Sequence, residues 1–155
     1  MGIREEYARR EKAAWASLLA RVGRLSPEQQ LLEGVVPGWS TRDLLWHCAR
    51  WAEETAGHLE LMRSGNFVDP FEADETLGDR MNAEITAQAR TMSVAEVLGA
   101  SEACRAKLHA TWPTVEPDEV AADWYAEETF VHYDEHAVEI AAFADALEAG
   151  AGDAG

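Results

Sequence analysis

The C-terminal third of this chain contains no basic residue. All 13 lysine and arginine residues lie within residues 1–107, whereas residues 108–155 contain 12 of the 29 aspartate and glutamate residues, and the formal net charge is −16. A protein that binds a nucleic acid duplex needs a positive surface to displace counterions from the phosphates. The charge distribution therefore argues against a nucleic acid partner.

Long apolar runs are also absent. No stretch approaches 18 consecutive apolar residues, and the first six residues, Met-Gly-Ile-Arg-Glu-Glu, lack the apolar centre of a signal peptide. Only two cysteines are present, Cys48 and Cys104, and we expect two buried thiols rather than a disulfide because each lies within a helical pattern. These features predict a cytoplasmic protein with no membrane partner.

What remains is the composition of one globular domain. The chain has 155 residues, of which 47% are hydrophobic and 27% are charged. This length and balance suit a single hydrophobic core. We expect one domain over residues 1–155, with residues 149–155 as a frayed tail.

Apolar residues three, four or seven apart predict helices in almost every periodic segment. Ser40 is the predicted N-cap of a helix that has Asp43 in its first turn and runs to about Arg63. Ser93 and Glu96 form a predicted capping box for another helix. The helix capped by Ser93 is predicted over residues 93–111. The other predicted helices cover residues 3–22, 74–91 and 127–148, with a short piece that begins at Ser26 and ends at Gly34.

No segment alternates with period two for long enough to predict a strand. Two long connections, residues 65–73 and residues 112–123, join the predicted helices. Long amphipathic helices with such connections favour an all-α fold, a four-helix bundle with one short extra helix.

Histidines suggest a metal site. His132 and His136 are four residues apart, so both imidazoles lie on the same helix face and can reach one ion. At about 100° per residue, both lie along the margin of their apolar stripe, as His47 does on the second helix. Three histidine ligands with an open fourth position are typical of catalytic zinc sites.

A histidine near an apolar face is, however, more often an ordinary core or surface residue than a ligand. His58 lies about 16 Å along the helix axis from His47 and cannot join the same site. His109 lies near a helix end, where its simplest role is a favourable charge at the C-terminus.

Two motifs resemble those of the DinB/YfiT-like superfamily of metalloenzymes. Residues 38–47, Gly-Trp-Ser-Thr-Arg-Asp-Leu-Leu-Trp-His, followed by Trp51, resemble the start of that family's second helix. Residues 129–136, Thr-Phe-Val-His-Tyr-Asp-Glu-His, resemble the motif of its last helix.

The resemblance implies an up-up-down-down four-helix bundle that binds a divalent ion, zinc or nickel, through His47, His132 and His136. It also implies a homodimer and, by relation to mycothiol-dependent maleylpyruvate isomerase and to bacillithiol or mycothiol transferases, a low-molecular-weight thiol as cofactor. The expected reaction is transfer or addition of that thiol to a small electrophile. Hydrolysis by metal-activated water, non-catalytic binding of a small molecule for resistance, and a bundle with accidental histidines remain alternatives.

Further residues are candidates for the site. Glu54 and Glu128 are candidate acid/base groups or partners that orient an imidazole, although each alone is more simply a solvated carboxylate. Arg50 is a candidate for binding a substrate carboxylate, but an ion pair with a neighbouring glutamate is equally consistent. Trp51 and Tyr133 are candidate pocket walls that fit the core as well. Candidates for the pocket mouth are Gly38, Trp39 and the two long connections.

Overall fold

Long helices form a bundle, as the sequence predicts. The computed structural model describes residues 1–152. In chain order its helices are α1 (Ile3–Val22), α2 (Thr41–Arg63), α3 (Pro70–Ala73), α4 (Leu77–Ala89), α5 (Val94–Thr111), α6 (Glu119–Ala126) and α7 (His132–Gly152). A π-helical turn, Glu127–Val131, connects α6 to α7 without a break. The described part of the chain is therefore an all-α bundle with little strand.

Two helices begin where the sequence predicts. The Ser40 hydroxyl accepts a hydrogen bond from the Asp43 backbone N–H, and the Asp43 carboxylate accepts one from the Ser40 backbone N–H at 2.9 Å. Ser93 and Glu96 make the same reciprocal pair at the start of α5. These capping boxes satisfy backbone donors that would otherwise lack partners, and they confirm the predicted starts.

Contacts between neighbouring helices determine the helix directions. Helices α1 and α7 are parallel, since Tyr7 contacts Phe130 and Arg24 contacts Asp145. Helices α1 and α5 are antiparallel, since Arg4 contacts Val115 and Trp15 contacts Glu102. Helices α2 and α5 are parallel, since Arg42 contacts Met92 and Glu60 contacts Thr111, so α1, α2, α5 and α7 run up, down, down, up.

The predicted up-up-down-down order is therefore wrong in its directions, although the bundle itself is confirmed. The reason lies in the connection from α2 to α5. Trp46 contacts Gln88 and Trp51 contacts Asn82, so α4 runs antiparallel to α2 and returns the chain to the end where α2 began. As a result α5 is parallel to α2.

The predicted loops contain more regular structure than expected. The connection at residues 65–73 includes α3, and the one at residues 112–123 includes a 3₁₀ turn, Trp112–Thr114, and the first half of α6. The side chain of Asp118 accepts a hydrogen bond from the Ala121 backbone N–H, so it caps α6 directly after Pro117. The last helical stretch thus begins earlier than predicted.

A small hairpin replaces part of the predicted short helix. Only Gln29–Leu31 form a 3₁₀ turn there, and strand β1 (Glu33–Val36) pairs antiparallel with β2 (Trp39–Ser40). Gly34 lies in β1 with φ +117° and so does not end a helix. Gly38 has φ +79°, which glycine adopts without strain at the turn between the strands.

The chain end also differs from its prediction. Helix α7 continues to Gly152, so residues 149–152 are helical, whereas residues 153–155 of the predicted frayed tail lie outside the described residues. Both cysteines are free and buried, as expected. Among the described residues, no helix combines the length and apolar character needed to cross a membrane.

A buried ion pair joins α1 to α5 within the core. The Glu11 carboxylate accepts hydrogen bonds from the Arg105 guanidinium at 2.7 and 3.0 Å, and His109 Nε2 lies 2.6 Å from it. His109 therefore has a specific partner in α1, beyond its predicted role at the helix end. Burial alone would raise the pKa of Glu11, but the hydrogen bonds from His109 and Arg105 outweigh burial and lower it.

Removing the Glu11 charge should destabilise the fold strongly. We expect Glu11→Gln to lower the free energy of unfolding by about 3–5 kcal/mol, because buried Arg105 then loses its buried counter-charge and keeps only the exposed Glu102. Since the folded-state pKa of Glu11 lies below its unfolded value, the wild-type contribution should be lost as pH falls below about 4.5. Urea unfolding monitored by circular dichroism measures both effects. Glu6→Gln, which breaks an exposed pair with Arg9, should change stability by less than about 1 kcal/mol; an equal effect would contradict the account.

Candidate metal centre

The antiparallel contact between α2 and α7 brings the three predicted histidines together. Nε2 of His47 lies 2.8 Å from Nε2 of His132, and His136 follows one turn later on α7. One ligand nitrogen from each ring lies within 4.8 Å of the others. The predicted grouping is confirmed, and these three residues can hold one metal ion.

The donor atoms fit such an ion. Nε2 of His136 is buried and has no hydrogen-bond partner. It belongs to the same cluster as the Nε2 atoms of His47 and His132, which face each other. A buried polar atom without a partner costs free energy. Divalent zinc and nickel accept three imidazole nitrogens as ligands, so the three histidines fit a divalent metal ion.

Burial keeps two of these imidazoles, His47 and His132, neutral. Desolvation, with added repulsion from His132 and His136, lowers the pKa of His47 to about 2, against a small opposing effect of Asn82. Desolvation and His136 likewise lower the pKa of His132 to about 3. A metal ligand must be deprotonated, so at neutral pH both rings are already in the binding form.

Glu139 orients one of the rings and was missed by the sequence reasoning. Its Oε2 lies 2.5 Å from Nδ1 of His136, which leaves Nε2 of that ring directed to the cluster. A carboxylate on the far nitrogen of a histidine fixes the ring and raises its basicity as a ligand. The i+3 spacing of a glutamate after a histidine was the available signal.

The π-helical turn was also unforeseen. It occupies Glu127–Val131, directly before His132. Such turns are rare and occur often at functional sites, because they change the rotation of the helix that follows. Nδ1 of His132 is buried without a hydrogen-bond partner, and the Glu128 backbone opposes the fall in the pKa of His132.

Two tryptophans border the cluster. The Trp39 ring, from β2, lies 4.9 Å from the His47 ring, and the Trp51 ring lies 6.3 Å from it. Trp51 Nε1 donates a hydrogen bond to Asn82 Oδ1 at 2.9 Å. An open cavity of about 650 Å³, which Trp39 and Asn82 help to line, runs along α4 beside the cluster. The hairpin therefore brings Trp39, a predicted mouth residue, next to the histidines.

Tyr133 lies elsewhere. Its side chain is fully buried and its ring packs 5.2 Å from Trp15, in the core between α1 and α7. It follows His132 directly, and adjacent helical residues point about 100° apart. Tyr133 thus belongs to the core, which the sequence left as its alternative to a pocket wall.

The charged candidates are distributed differently from the histidines. Arg50 pairs with Glu53 and, at 3.2 Å, with Glu54, so the ion-pair alternative describes its contacts. Glu54 also faces His58, whose pKa burial lowers. Glu128 is half-buried, and burial followed by repulsion from Glu127 and Glu135 raises its pKa to about 7. Of the two predicted carboxylates, Glu128 is nearer in sequence to a histidine of the cluster, because it precedes His132 by four residues.

His58 does not join the cluster. Its ring neighbours are Phe67, Phe71 and Trp124, at centroid distances of 5.7, 6.3 and 4.6 Å. Cys48, next to His47 in sequence, is fully buried, and burial raises its pKa, so it is not a nucleophile.

Comparison with known proteins agrees with this geometry. The profile of a family described as the DinB superfamily matches residues 12–144, a region that includes all three histidines and both motifs. No curated protein and no solved structure matches the chain.

Loss of the Glu139 carboxylate should weaken metal binding. We expect Glu139→Gln to raise the zinc dissociation constant by about 10- to 100-fold, because the His136 ring loses its orienting charge. Competition with a chromogenic chelator measures the constant. Glu135→Gln, one turn earlier and exposed, removes the same charge and should have little effect. Equal affinities for Glu139→Gln and wild type would show that Glu139 does not support the site.

Proposed function

We propose that this chain, which belongs to the DinB superfamily, transfers a low-molecular-weight thiol to a small electrophile at a divalent metal site. The ion, zinc or nickel, would be held by His47, His132 and His136, and the thiol would be of the mycothiol or bacillithiol type. The observation that carries the proposal is the convergence of three histidine nitrogens within 4.8 Å of one another.

The ligand set determines what the ion supplies. Three neutral imidazoles would leave the charge of the ion uncompensated, and an ion held in this way would supply a lowered pKa for a thiol or water bound there. The reaction then balances simply. A bond forms between the thiol sulfur and an electrophilic carbon, the bond from that carbon to its leaving group breaks with the electron pair, and the thiol proton goes to a base of the protein.

Glu128 is the base in this proposal. It is half-buried one turn before His132, and its raised pKa of about 7 suits a group that both accepts and releases a proton near neutral pH. Trp39 and Trp51 would exclude water from the reacting atoms, since their rings lie beside His47. Glu139 would keep His136 in its ligand orientation.

Hydrolysis is the second candidate. The same carboxyl with a pKa of about 7 can take a proton from water as well as from a thiol. Hydrolysis needs no thiol, which separates the two reactions in an assay. A non-catalytic binding protein would bind the electrophile without consuming it.

Substitution of Glu128 should reduce turnover without loss of metal. With zinc-loaded protein, mycothiol or bacillithiol, and monobromobimane as electrophile, we expect thioether formation above the uncatalysed rate. Glu128→Gln should lower kcat/KM by about 10²- to 10⁴-fold, because proton transfer loses its acceptor. Asp123→Asn, an exposed change on α6, is the matched control.

The outcomes distinguish the candidates. Consumption of the electrophile without thiol would favour hydrolysis. Saturable binding without turnover, across a panel of thiols and electrophiles, would contradict the proposal and favour a binding protein.

A further inference from the structure

A group of aromatic side chains extends from the histidine cluster along α2. Trp51 contacts His47 at one end and lies 5.7 Å from Phe71 at the other. Phe71 stacks on Trp124 at 6.0 Å with an interplanar angle of 27°, and Phe67 lies 5.5 Å from Trp124. We call Trp51, Phe67, Phe71, Trp124 and His58 the aromatic platform.

The platform differs from the other aromatic cluster of the bundle. Trp112 and Tyr125, on the side of α1, are 1% and 0% exposed and fill the core. Phe67, Phe71 and Trp124 are only half-buried. Adjoining apolar rings that remain partly accessible are typical of ligand-binding surfaces.

His58 adds a polar group to this apolar surface. Its Nδ1 is buried and has no hydrogen-bond partner, while its ring packs 4.6 Å from Trp124. A buried imidazole nitrogen without a partner costs free energy unless a ligand or water satisfies it. The backbone of His58 lies about 16 Å along the helix axis from that of His47, the rise of 11 residues of α2.

We infer that the aromatic platform binds the planar, unsaturated part of the substrate, with a hydroxyl or carbonyl group of that substrate hydrogen-bonded to His58. Its role as a substrate subsite rests on the proposed function, because Trp51 connects it to the metal centre. The polar group would be at one end of the substrate and the reacting atom at the other.

The alternative is that the rings only pack residues 64–73 and α6 against α2. Packing alone does not need an unsatisfied nitrogen, and it does not predict saturable binding of a planar ligand. Binding of a small aromatic probe therefore separates the two.

The test uses a solvatochromic naphthalene ketone, 6-propionyl-2-dimethylaminonaphthalene, titrated with the zinc-loaded full chain. We expect saturable binding with blue-shifted emission. Trp124→Ala should weaken it by about tenfold, and Trp124→Phe, which retains a ring, by less. Val138→Ser, which removes an exposed apolar side chain from the outer face of α7, is the control and should leave binding unchanged.

The His58 nitrogen has its own test. His58→Phe keeps a ring but removes the nitrogen, so we expect the affinity for the ketone to fall about fivefold. Competition by unsubstituted naphthalene, which has no hydrogen-bonding group, should give the same inhibition constant in both proteins. If Trp124→Ala fails to fold, Trp124→Phe and His58→Phe still decide the matter.

The results separate this inference from the proposed reaction. Absence of saturable probe binding, or equal affinity in wild type, Trp124→Phe and His58→Phe, would overturn the platform as a binding site. Probe binding by a protein that transfers no thiol would leave the site standing and contradict only the reaction. Thiol transfer without probe binding would contradict only the platform.

Discussion

The antiparallel packing of α2 against α7 is the constraint on which the metal centre depends. It brings His47 and His132, which are 85 residues apart, to a nitrogen–nitrogen distance of 2.8 Å. The same contact buries the rings, and burial lowers the pKa of His47 to about 2. The position and the ionisation state of His47 and His132 therefore have one origin, since the apolar seam that holds the helices together also keeps these two imidazoles neutral and available to a cation.

This arrangement costs stability that other parts of the bundle supply. Buried nitrogens without partners at the cluster and at His58 are unfavourable in the absence of a ligand. Between α1 and α5, by contrast, the Glu11 carboxylate is hydrogen-bonded to both Arg105 and His109. The charges of the Glu11 network are thus paired, whereas imidazole nitrogens of α2 and α7 lack partners. Unsatisfied polar groups in an otherwise consistent structure are expected where function is located.

Much of this could be predicted from the sequence where local chemistry decides it. The capping residues Ser40 and Ser93 and the histidine spacing on two helix margins are local signals, and the structure confirms them. The hairpin was missed because strands of four and two residues are too short to show alternation. Helix direction depended on α4, and the core position of Tyr133 and the contact of Glu139 with His136 depended on side-chain packing that periodicity does not determine.

X-ray absorption at the zinc edge of the metal-loaded protein tests the central claim most directly. The account predicts about one zinc ion per chain, with three imidazole ligands at about 2.0–2.1 Å and at least one further light ligand. It also predicts loss of the multiple-scattering signal of imidazole in the triple variant His47→Ala, His132→Ala, His136→Ala. A spectrum with sulfur ligands from the protein, or with fewer than three imidazoles in the wild type, would contradict it.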